Sequence, residues 1–306
     1  MKEKRKSNAV VATITIIATI IGYTAIYRGI QYYASPDRFI SEIQINKGIK
    51  YLETNAGVYF GDMVGTDFSG EGSFDFANGN AYQGQWLDGV INGKGKMDFA
   101  DIGVYIGEFR KNSRFGKGTF TWSNGDSYTG DWENDEMSGS GKITYASGVI
   151  LAGTFARNVA MNCKMTIYTE TADYIYDVIN GSLNSVVTIK CKTGTLYTGT
   201  FSKDELTGTG EIRFANKDEY SGNIKKGLKD GKGQYKWESG YTYNGEWSND
   251  MMSGQGEYYY KGGLPSLSGT FLNNKPQGQC VYRTEANVSY ITTWSNGVCT
   301  RLTYNK

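Results

Sequence analysis

A motif of aromatic residues and glycines returns every 23 residues along most of this chain. A typical copy begins with an aromatic residue, has glycine two positions later and has a second aromatic residue two positions after that, as in Tyr82-Gln-Gly84-Gln-Trp86. A fixed period of this length indicates a repeat architecture in which each unit contacts mainly its neighbours. The units start at Tyr59, Tyr82, Tyr105, Tyr128, Leu151, Tyr174, Tyr197, Tyr220 and Tyr243, and one extra residue moves the next start to Leu267.

Each well-formed unit also has a second half, with two glycines separated by one residue and an aromatic residue four positions later, as in Gly93, Gly95 and Phe99. Residues spaced by two lie on one face of a strand, so each half places its aromatic residues and glycines on the same face. Polar connectors rich in Asn and Asp separate the halves and suit tight turns. The period therefore predicts an all-β fold, an elongated single-layer antiparallel sheet of stacked β-hairpins.

The composition supports many short strands and argues against several classes of function. There are 41 Gly and 24 Tyr but only 3 Pro, which is typical of strands joined by tight turns. The net charge of +1 gives no bulk attraction to nucleic acid, and the lack of His removes the side chain best suited to proton transfer near neutral pH. Gly139-Ser-Gly141-Lys142 superficially resembles a phosphate loop, but it recurs in register with the repeat glycines. We therefore predict no enzyme activity, no cofactor and no metal site.

The combined pattern resembles the MORN repeat (membrane occupation and recognition nexus). Its elements are Tyr-x-Gly-x-Trp or Phe, then Gly-x-Gly, then a later aromatic residue. The resemblance covers residues 59 to about 290, in about ten units. It implies a twisted antiparallel sheet with an aromatic-lined groove. It also implies a role as a scaffold, a dimerisation module or a groove for a partner peptide or helix, and it brings membrane-lipid contact into consideration.

The motif decays in the middle of the array. The unit from Leu151 has Asn162 and Lys164 where the paired glycines belong, and the unit from Tyr174 lacks the motif glycines. Because the 23-residue spacing survives through residues 151–196, we predict that strands continue there with different packing. Neutral drift and a specific bend or partner site both fit this decay. A last partial unit from residue 290 is predicted to be a C-terminal cap.

The N-terminal segment predicts a membrane anchor. Residues 1–8 are a basic tail, and residues 9–28 contain an uncharged apolar run long enough for one transmembrane helix. A retained signal-anchor is favoured over a cleaved signal peptide, because no small-residue cleavage site follows the run. The basic residues before the helix predict a cytoplasmic N-terminus and an extracytoplasmic repeat domain.

Residues 29–58 are predicted to be a juxtamembrane linker. Ser35-Pro36-Asp37 suits the start of a short helix, with Phe39, Ile40 and Ile43 on its apolar face. This helix would cover the open edge of the first repeat. The repeat domain would then run over residues 59–306.

Three sets of residues are candidates for binding or cross-linking. The partner-binding groove would be formed by aromatic residues that recur on one face, namely Tyr82, Trp86, Tyr105, Phe109, Tyr128, Trp132, Phe155, Tyr197, Phe201, Tyr243, Trp247 and Phe271. One basic cluster could contact an anionic ligand, although acids between its members favour a solvated face; it comprises Lys225, Lys226, Lys229, Lys232 and Lys236. Two disulfides and four separate thiols fit the cysteines equally well, which are Cys163, Cys191, Cys280 and Cys299.

These features predict a membrane-anchored, non-catalytic scaffold. Its repeat sheet and aromatic groove would bind a protein partner or a second copy of the chain. The alternative is a binding module for a cell-envelope glycan or an anionic lipid, which would use the aromatic and basic surfaces. No nucleic-acid partner is expected.

Overall fold

The computed structural model describes residues 40–46, 49–202, 206–285 and 288–305. These residues form β-strands and turns, and the described ranges contain no helix, hence none that could span a membrane. The all-β prediction is confirmed. The basic tail at 1–8 and the predicted transmembrane helix at 9–28 lie outside the described residues.

The described residues divide into two compact units. The N-terminal unit holds the residues up to Ile167 together with Asp177–Leu183, and the C-terminal unit holds Tyr168–Tyr176 and the residues from Asn184 onward. The division falls inside 151–196, the segment in which the sequence motif decays.

Strands in the N-terminal unit form an antiparallel meander, in which each strand pairs with the next one along the chain. This chain-order pairing is expected for stacked hairpins. The strands are β1 (Ile40–Asn46), β2 (Ile49–Thr54), β3 (Gly57–Val64), β4 (Asp67–Phe76), β5 (Ala81–Leu87), β6 (Val90–Phe99), β7 (Gly103–Arg110), β8 (Ser113–Trp122), β9 (Ser127–Glu133), β10 (Glu136–Thr144), β11 (Ile150–Ala156) and β12 (Val159–Tyr168).

The C-terminal unit repeats the same meander. The two strands that straddle the division are β13 (Ala172–Ile179) and β14 (Ser182–Cys191). The strands that follow are β15 (Leu196–Phe201), β16 (Gly208–Arg213), β17 (Glu219–Lys225), β18 (Leu228–Lys236), β19 (Thr242–Ser248), β20 (Met251–Tyr259), β21 (Ser266–Leu272), β22 (Lys275–Glu285), β23 (Val288–Ser295) and β24 (Val298–Asn305).

The region expected to hold a short capping helix contains a hairpin instead. Ile40 and Ile43 lie in β1, which pairs with β2, and β2 in turn pairs with β3. The predicted helix start at Ser35 lies outside the described residues. A register shift between Ile40 and Glu42 breaks the strand alternation, so that the three-residue spacing of the two isoleucines resembled a helical face. The sheet therefore begins before residue 59.

Glycines form a row across the strands of each unit. In the N-terminal unit Gly84 lies opposite Gly72 on one side and Gly95 on the other, and the row runs from Gly61 to Gly153. In the C-terminal unit the row runs through Gly199, Gly210, Gly222, Gly233, Gly245, Gly256 and Gly269. We call the face that carries the aromatic side chains beside these glycines the inner face, and the opposite one the outer face.

Two-residue turns close the hairpins. Asn134 and Asp135 join β9 to β10 with φ values of 49° and 67°. Positive φ at both central residues is the type I′ turn, which matches the twist of paired strands and favours Asn, Asp and Gly. The Asn and Asp residues in the connectors therefore predicted these turns correctly.

Consecutive hairpin turns are joined by a pair of hydrogen bonds that we call the staple. Asn158 Oδ1 accepts the backbone N–H of Met137 at 2.7 Å, and the backbone N–H of Asn158 donates to the Met137 carbonyl at 3.1 Å. The Asn or Asp that makes a staple has φ between 67° and 69°. The same staple joins Asn112 to Ile91, Asp135 to Arg114, Asp250 to Lys229 and Asn274 to Met252.

Candidate binding surface

In six units the opening tyrosine packs against a glycine pair. Tyr82 is 1% exposed, and its hydroxyl donates to the carbonyl of Gln85 at 3.0 Å. A Cβ added to Gly95 would lie 2.5 Å from Cε2 of this ring, so only glycine leaves room for it. The same hydroxyl-to-carbonyl bond, 2.7–3.1 Å long, occurs at Tyr59, Tyr105, Tyr128, Tyr220 and Tyr243.

In units with a second aromatic residue, that ring extends this packing. Trp132 Nε1 donates to the Gly118 carbonyl at 3.2 Å, and the Trp132 ring meets Tyr128 edge-on at a centroid distance of 5.2 Å. Edge-to-face rings at this distance are a favourable aromatic pair. Trp86 and Trp247 make the equivalent bonds to glycine carbonyls. Rings resting on backbone are therefore a recurring part of the buried core.

The predicted groove residues belong to this buried layer. Ten of the twelve are less than 10% exposed, and the other two, Tyr197 and Phe201, are half-buried. A partner-binding role for these residues stays a prediction, which their burial disfavours. The ten are Tyr82, Trp86, Tyr105, Phe109, Tyr128, Trp132, Phe155, Tyr243, Trp247 and Phe271.

A more accessible set of rings lies on the inner face of the C-terminal unit. We call it the aromatic patch, and each member is half-buried. Neighbouring rings lie close together, with centroid distances of 5.5 Å for Trp237 to Tyr258, 5.3 Å for Tyr258 to Tyr260 and 6.1 Å for Tyr241 to Tyr260. Tyr282, like Trp237 and Tyr258, packs against the buried core cluster of the C-terminal unit that contains Tyr243 and Trp247. The patch comprises Trp237, Tyr241, Tyr258, Tyr260 and Tyr282.

Polar atoms of the aromatic patch are not hydrogen-bonded to other described residues. Among the described residues, none accepts a hydrogen bond from the Trp237 indole or from the four patch hydroxyls, in contrast to the bonded hydroxyls of Tyr220 and Tyr243. Tyr259 lies between two patch members but on the outer face, where its hydroxyl donates to Glu257 at 2.7 Å. The sequence contained a signal for this patch, because Trp237 and Tyr260 are the aromatic residues four positions after a second glycine.

Two repeats contain a buried cation. In three repeats the residue whose backbone N–H donates to the staple is apolar, and the side chain that accepts this bond is Asn. These residues are Ile91, Met137 and Met252. Arg114 and Lys229 occupy the same position in two other repeats, and there the acceptor is Asp. The acidic side chain therefore occurs where the chain buries a positive charge.

The Arg114 site shows how this charge is stabilised. Arg114 is 1% exposed, its Nε lies 3.1 Å from Asp135 Oδ1, and its Cζ lies 4.3 Å from the Trp132 ring centroid. Burial lowers the pKa of Arg114 to about 10, and the neighbouring Asp135 opposes that shift. The charge is met by a carboxylate and by aromatic faces of the same unit. The site is therefore an internal packing feature.

The equivalent site in the C-terminal unit is similar. Lys229 Nζ lies 2.8 Å from Asp250 Oδ1 and 5.2 Å from the Trp247 ring centroid. This removes Lys229 from the predicted basic cluster. Lys232 of that cluster lies directly opposite Glu246 in the next strand. The remaining members, Lys225, Lys226 and Lys236, are exposed. The five lysines do not form one cationic surface, and their contact with an anionic ligand stays a prediction.

All four cysteines are free thiols: Cys163, Cys191, Cys280 and Cys299. Two of them end the glycine rows, since Cys163 lies opposite Gly153 and Cys280 lies opposite Gly269. In both repeats leucine replaces the opening tyrosine, so that Leu plus Cys fills the space that Tyr plus Gly fills elsewhere. Burial raises the pKa of both thiols, and they serve as small apolar residues.

The degenerate segment keeps its strands but changes its packing. Ala172, Val187 and Ile189 form a small aliphatic cluster in the C-terminal unit, and Val187 lies opposite Gly199. The continued strands confirm that the backbone period outlasts the motif. Whether 151–196 also binds a partner stays a prediction.

The family comparison identifies the repeats. The model described as MORN repeat matches eight segments that together make up more than half of the 306 residues, and the chain belongs to the MORN-repeat family. The matched segments are 59–81, 82–101, 105–127, 128–150, 197–219, 220–240, 243–264 and 268–284. They leave out the degenerate segment.

Other comparisons add little about function. No curated relative matches the chain. Among solved structures, it is similar to the TCP domain of SAS-4 (dCPAP) of Drosophila melanogaster, in complex with a proline-rich motif of Ana2 (dSTIL). The two share 17% sequence identity with a TM-score of 0.33, and the match covers 51% of this chain and 84% of that one.

Proposed function

We propose that this protein is a non-catalytic scaffold, held at a membrane by its N-terminal segment, that binds a protein partner or a second copy of itself through its repeat sheet. The aromatic patch is the observation that carries the binding role. A cluster of half-buried Tyr and Trp with unengaged polar atoms is typical of an interaction surface, because such rings supply apolar area and hydrogen-bond donors together.

The membrane part of the proposal is supported by the uncharged run in residues 9–28, which has the length of a bilayer-spanning helix. We expect the intact chain to remain in the membrane fraction after alkaline carbonate extraction, and a chain lacking residues 1–34 to be released. Protease treatment of intact cells should cut the repeats from outside. Release of the intact chain would contradict the anchor, and full protection would contradict the orientation.

Site-specific photo-crosslinking tests the binding part. A photoreactive phenylalanine analogue at Tyr260 lies in the aromatic patch, and the same analogue at Tyr259 lies on the outer face and serves as the control. We expect a discrete protein adduct from position 260 in intact cells and none of the same mass from position 259. Recovery of only the uncrosslinked chain from position 260, or the same adducts from both positions, would refute binding through this patch.

A further inference from the structure

The aromatic patch offers donors and carries no charge of its own. The Trp237 indole N–H can only donate, and the four tyrosine hydroxyls donate readily to carbonyl oxygens. A complementary ligand would therefore be uncharged where it touches the patch, apolar on one side and rich in acceptors. A polyproline II segment has these properties, because its carbonyls make no internal hydrogen bonds and proline has no backbone N–H.

The spacing between equivalent rings of the patch also matches the polyproline II conformation. Tyr258 and Tyr282 occupy equivalent positions in successive repeats, as do Trp237 and Tyr260. Successive repeats are two strands apart, which is about 9.6 Å at the usual strand separation of about 4.8 Å. One turn of polyproline II is three residues of about 3.1 Å each, or roughly 9.3 Å. Every third residue of such a segment would therefore meet the same kind of aromatic contact.

Other conformations match this repeat less well. An α-helix has a pitch of about 5.4 Å, so that two turns overshoot the repeat by roughly 1 Å. An extended strand presents the same face every two residues, at about 6.6 Å. The patch reaches from Trp237, directly after β18, to Tyr282 in β22. This is four strand steps or about 19 Å, which corresponds to roughly six residues of polyproline II.

We propose that the aromatic patch binds a proline-rich segment of a protein partner in the polyproline II conformation, running across strands β18 to β22. This inference rests on the proposed scaffold function and names the chemistry of its partner. The rings of successive repeats pack against successive turns of the segment, while the indole and the hydroxyls donate to its exposed carbonyls. A ligand that arrives already extended loses little conformational entropy on binding.

Binding of fluorescein-labelled decaproline to the full-length chain in detergent micelles tests this proposal by fluorescence anisotropy. The test variant is Tyr258→Phe/Tyr260→Phe/Tyr282→Phe, which keeps the rings and removes three donors. One net hydrogen bond corresponds to roughly fivefold in affinity, so we expect the triple variant to bind at least about tenfold more weakly. The matched control, Tyr259→Phe, removes a hydroxyl from the outer face and should bind within about twofold of the unmodified chain.

The other possible outcomes separate the polyproline II assignment from the proposed scaffold function. Absence of decaproline binding, or equal affinity for the triple variant and the unmodified chain, refutes the polyproline II assignment. Binding of a helical alanine-rich peptide or a β-linked glucan hexasaccharide in place of decaproline refutes it as well and identifies the ligand class. If position 260 gives a discrete crosslinked adduct but decaproline does not bind, the polyproline II assignment is refuted and the proposed scaffold function is retained. If position 260 gives no adduct and decaproline does not bind, both the scaffold function and the inference are refuted.

Discussion

The buried ion pair of Arg114 and Asp135 allows a test built from the chain's own repeats. Asp135→Asn keeps the staple, because Asn makes the same bond to a backbone N–H at Asn158. It leaves the guanidinium, 1% exposed, without its carboxylate. Removal of one partner from a buried ion pair costs about 3–5 kcal/mol of unfolding free energy. We expect the low end, about 3 kcal/mol, because a guanidinium N–H still donates to the main-chain carbonyl of residue 135.

The double variant Arg114→Met/Asp135→Asn should restore most of that loss. It recreates the Met and Asn pair that the chain already has at Met137 and Asn158. Replacement of a buried ion pair by apolar residues of similar volume is often neutral or stabilising. We therefore expect the double variant to lie within about 1 kcal/mol of the unmodified protein. The coupling between the two substitutions would then be about 2 kcal/mol or more.

Urea unfolding followed by tryptophan fluorescence measures these changes, because Trp132 lies directly over the guanidinium. Circular dichroism on the same samples checks that both probes report one transition. A matched control is Asn158→Asp, which places a carboxylate beside an apolar residue and should destabilise. The electrostatic account of the Asp and Asn choice fails if Asp135→Asn costs less than about 1 kcal/mol, or if the double variant is as unstable as that single variant.

Three further predictions concern packing and ionisation. Gly95→Cys should destabilise by about 1–3 kcal/mol through overpacking against Tyr82, and added Tyr82→Leu should recover part of that loss in urea unfolding. Burial raises the pKa of Tyr59 to about 12 and that of Tyr82 above its usual range. The folded state therefore favours neutral tyrosine, and the stability that this contributes is complete below about pH 10 and is lost as the pH rises through the folded-state pKa. The urea concentration at the unfolding midpoint should fall in that alkaline range. Exposed Cys299 should react rapidly with Ellman's reagent, whereas buried Cys163, with its raised pKa, should react only on unfolding.

Each of these has a clear contrary result. Full stability of Gly95→Cys alone would show that the ring has free space that the packing does not indicate. An unchanged urea midpoint between about pH 9 and pH 12 would mean that the tyrosines ionise equally in both states. Rapid reaction of the native Cys191→Ser/Cys280→Ser/Cys299→Ser variant, in which Cys163 is the one remaining thiol, would contradict the burial of Cys163.

The sequence alone was sufficient to predict the hairpins, because their signals are local. A two-residue spacing defines the face of a strand, and Asn or Asp in the connectors favours left-handed turns such as Asn134-Asp135. The strand at Ile40–Asn46 was missed, because a bulge disturbed the alternation that would have indicated it. This strand is defined by its pairing with β2. A pairing between strands cannot be recognised from the local sequence of one of them.

The accessible surface was harder to predict. Every repeat supplies aromatic residues on the inner face, and the sequence does not say which of them the neighbouring strands cover. Tyr82 and Tyr258 are both ring-bearing inner-face residues, yet one is buried over glycine and the other is half-buried. The use of Leu151 and Cys163 in place of Tyr and Gly was not predicted, because the sequence spacing put Asn162 and Lys164 at the glycine positions, whereas Cys163 is the residue that lies opposite Gly153.

The staples determine where such an array tolerates a change in length. The one-residue insertion lies in the connector after β20, around Gly262 and Gly263, and Asn274 still reaches the Met252 N–H across 22 residues where other repeats use 21. An insertion in a hairpin turn would instead move the Asn or Asp away from the N–H that it must meet. Natural or engineered insertions are therefore expected to accumulate in the connectors between repeats, along one margin of the sheet. The hairpin turns along the opposite margin should keep the same length from repeat to repeat.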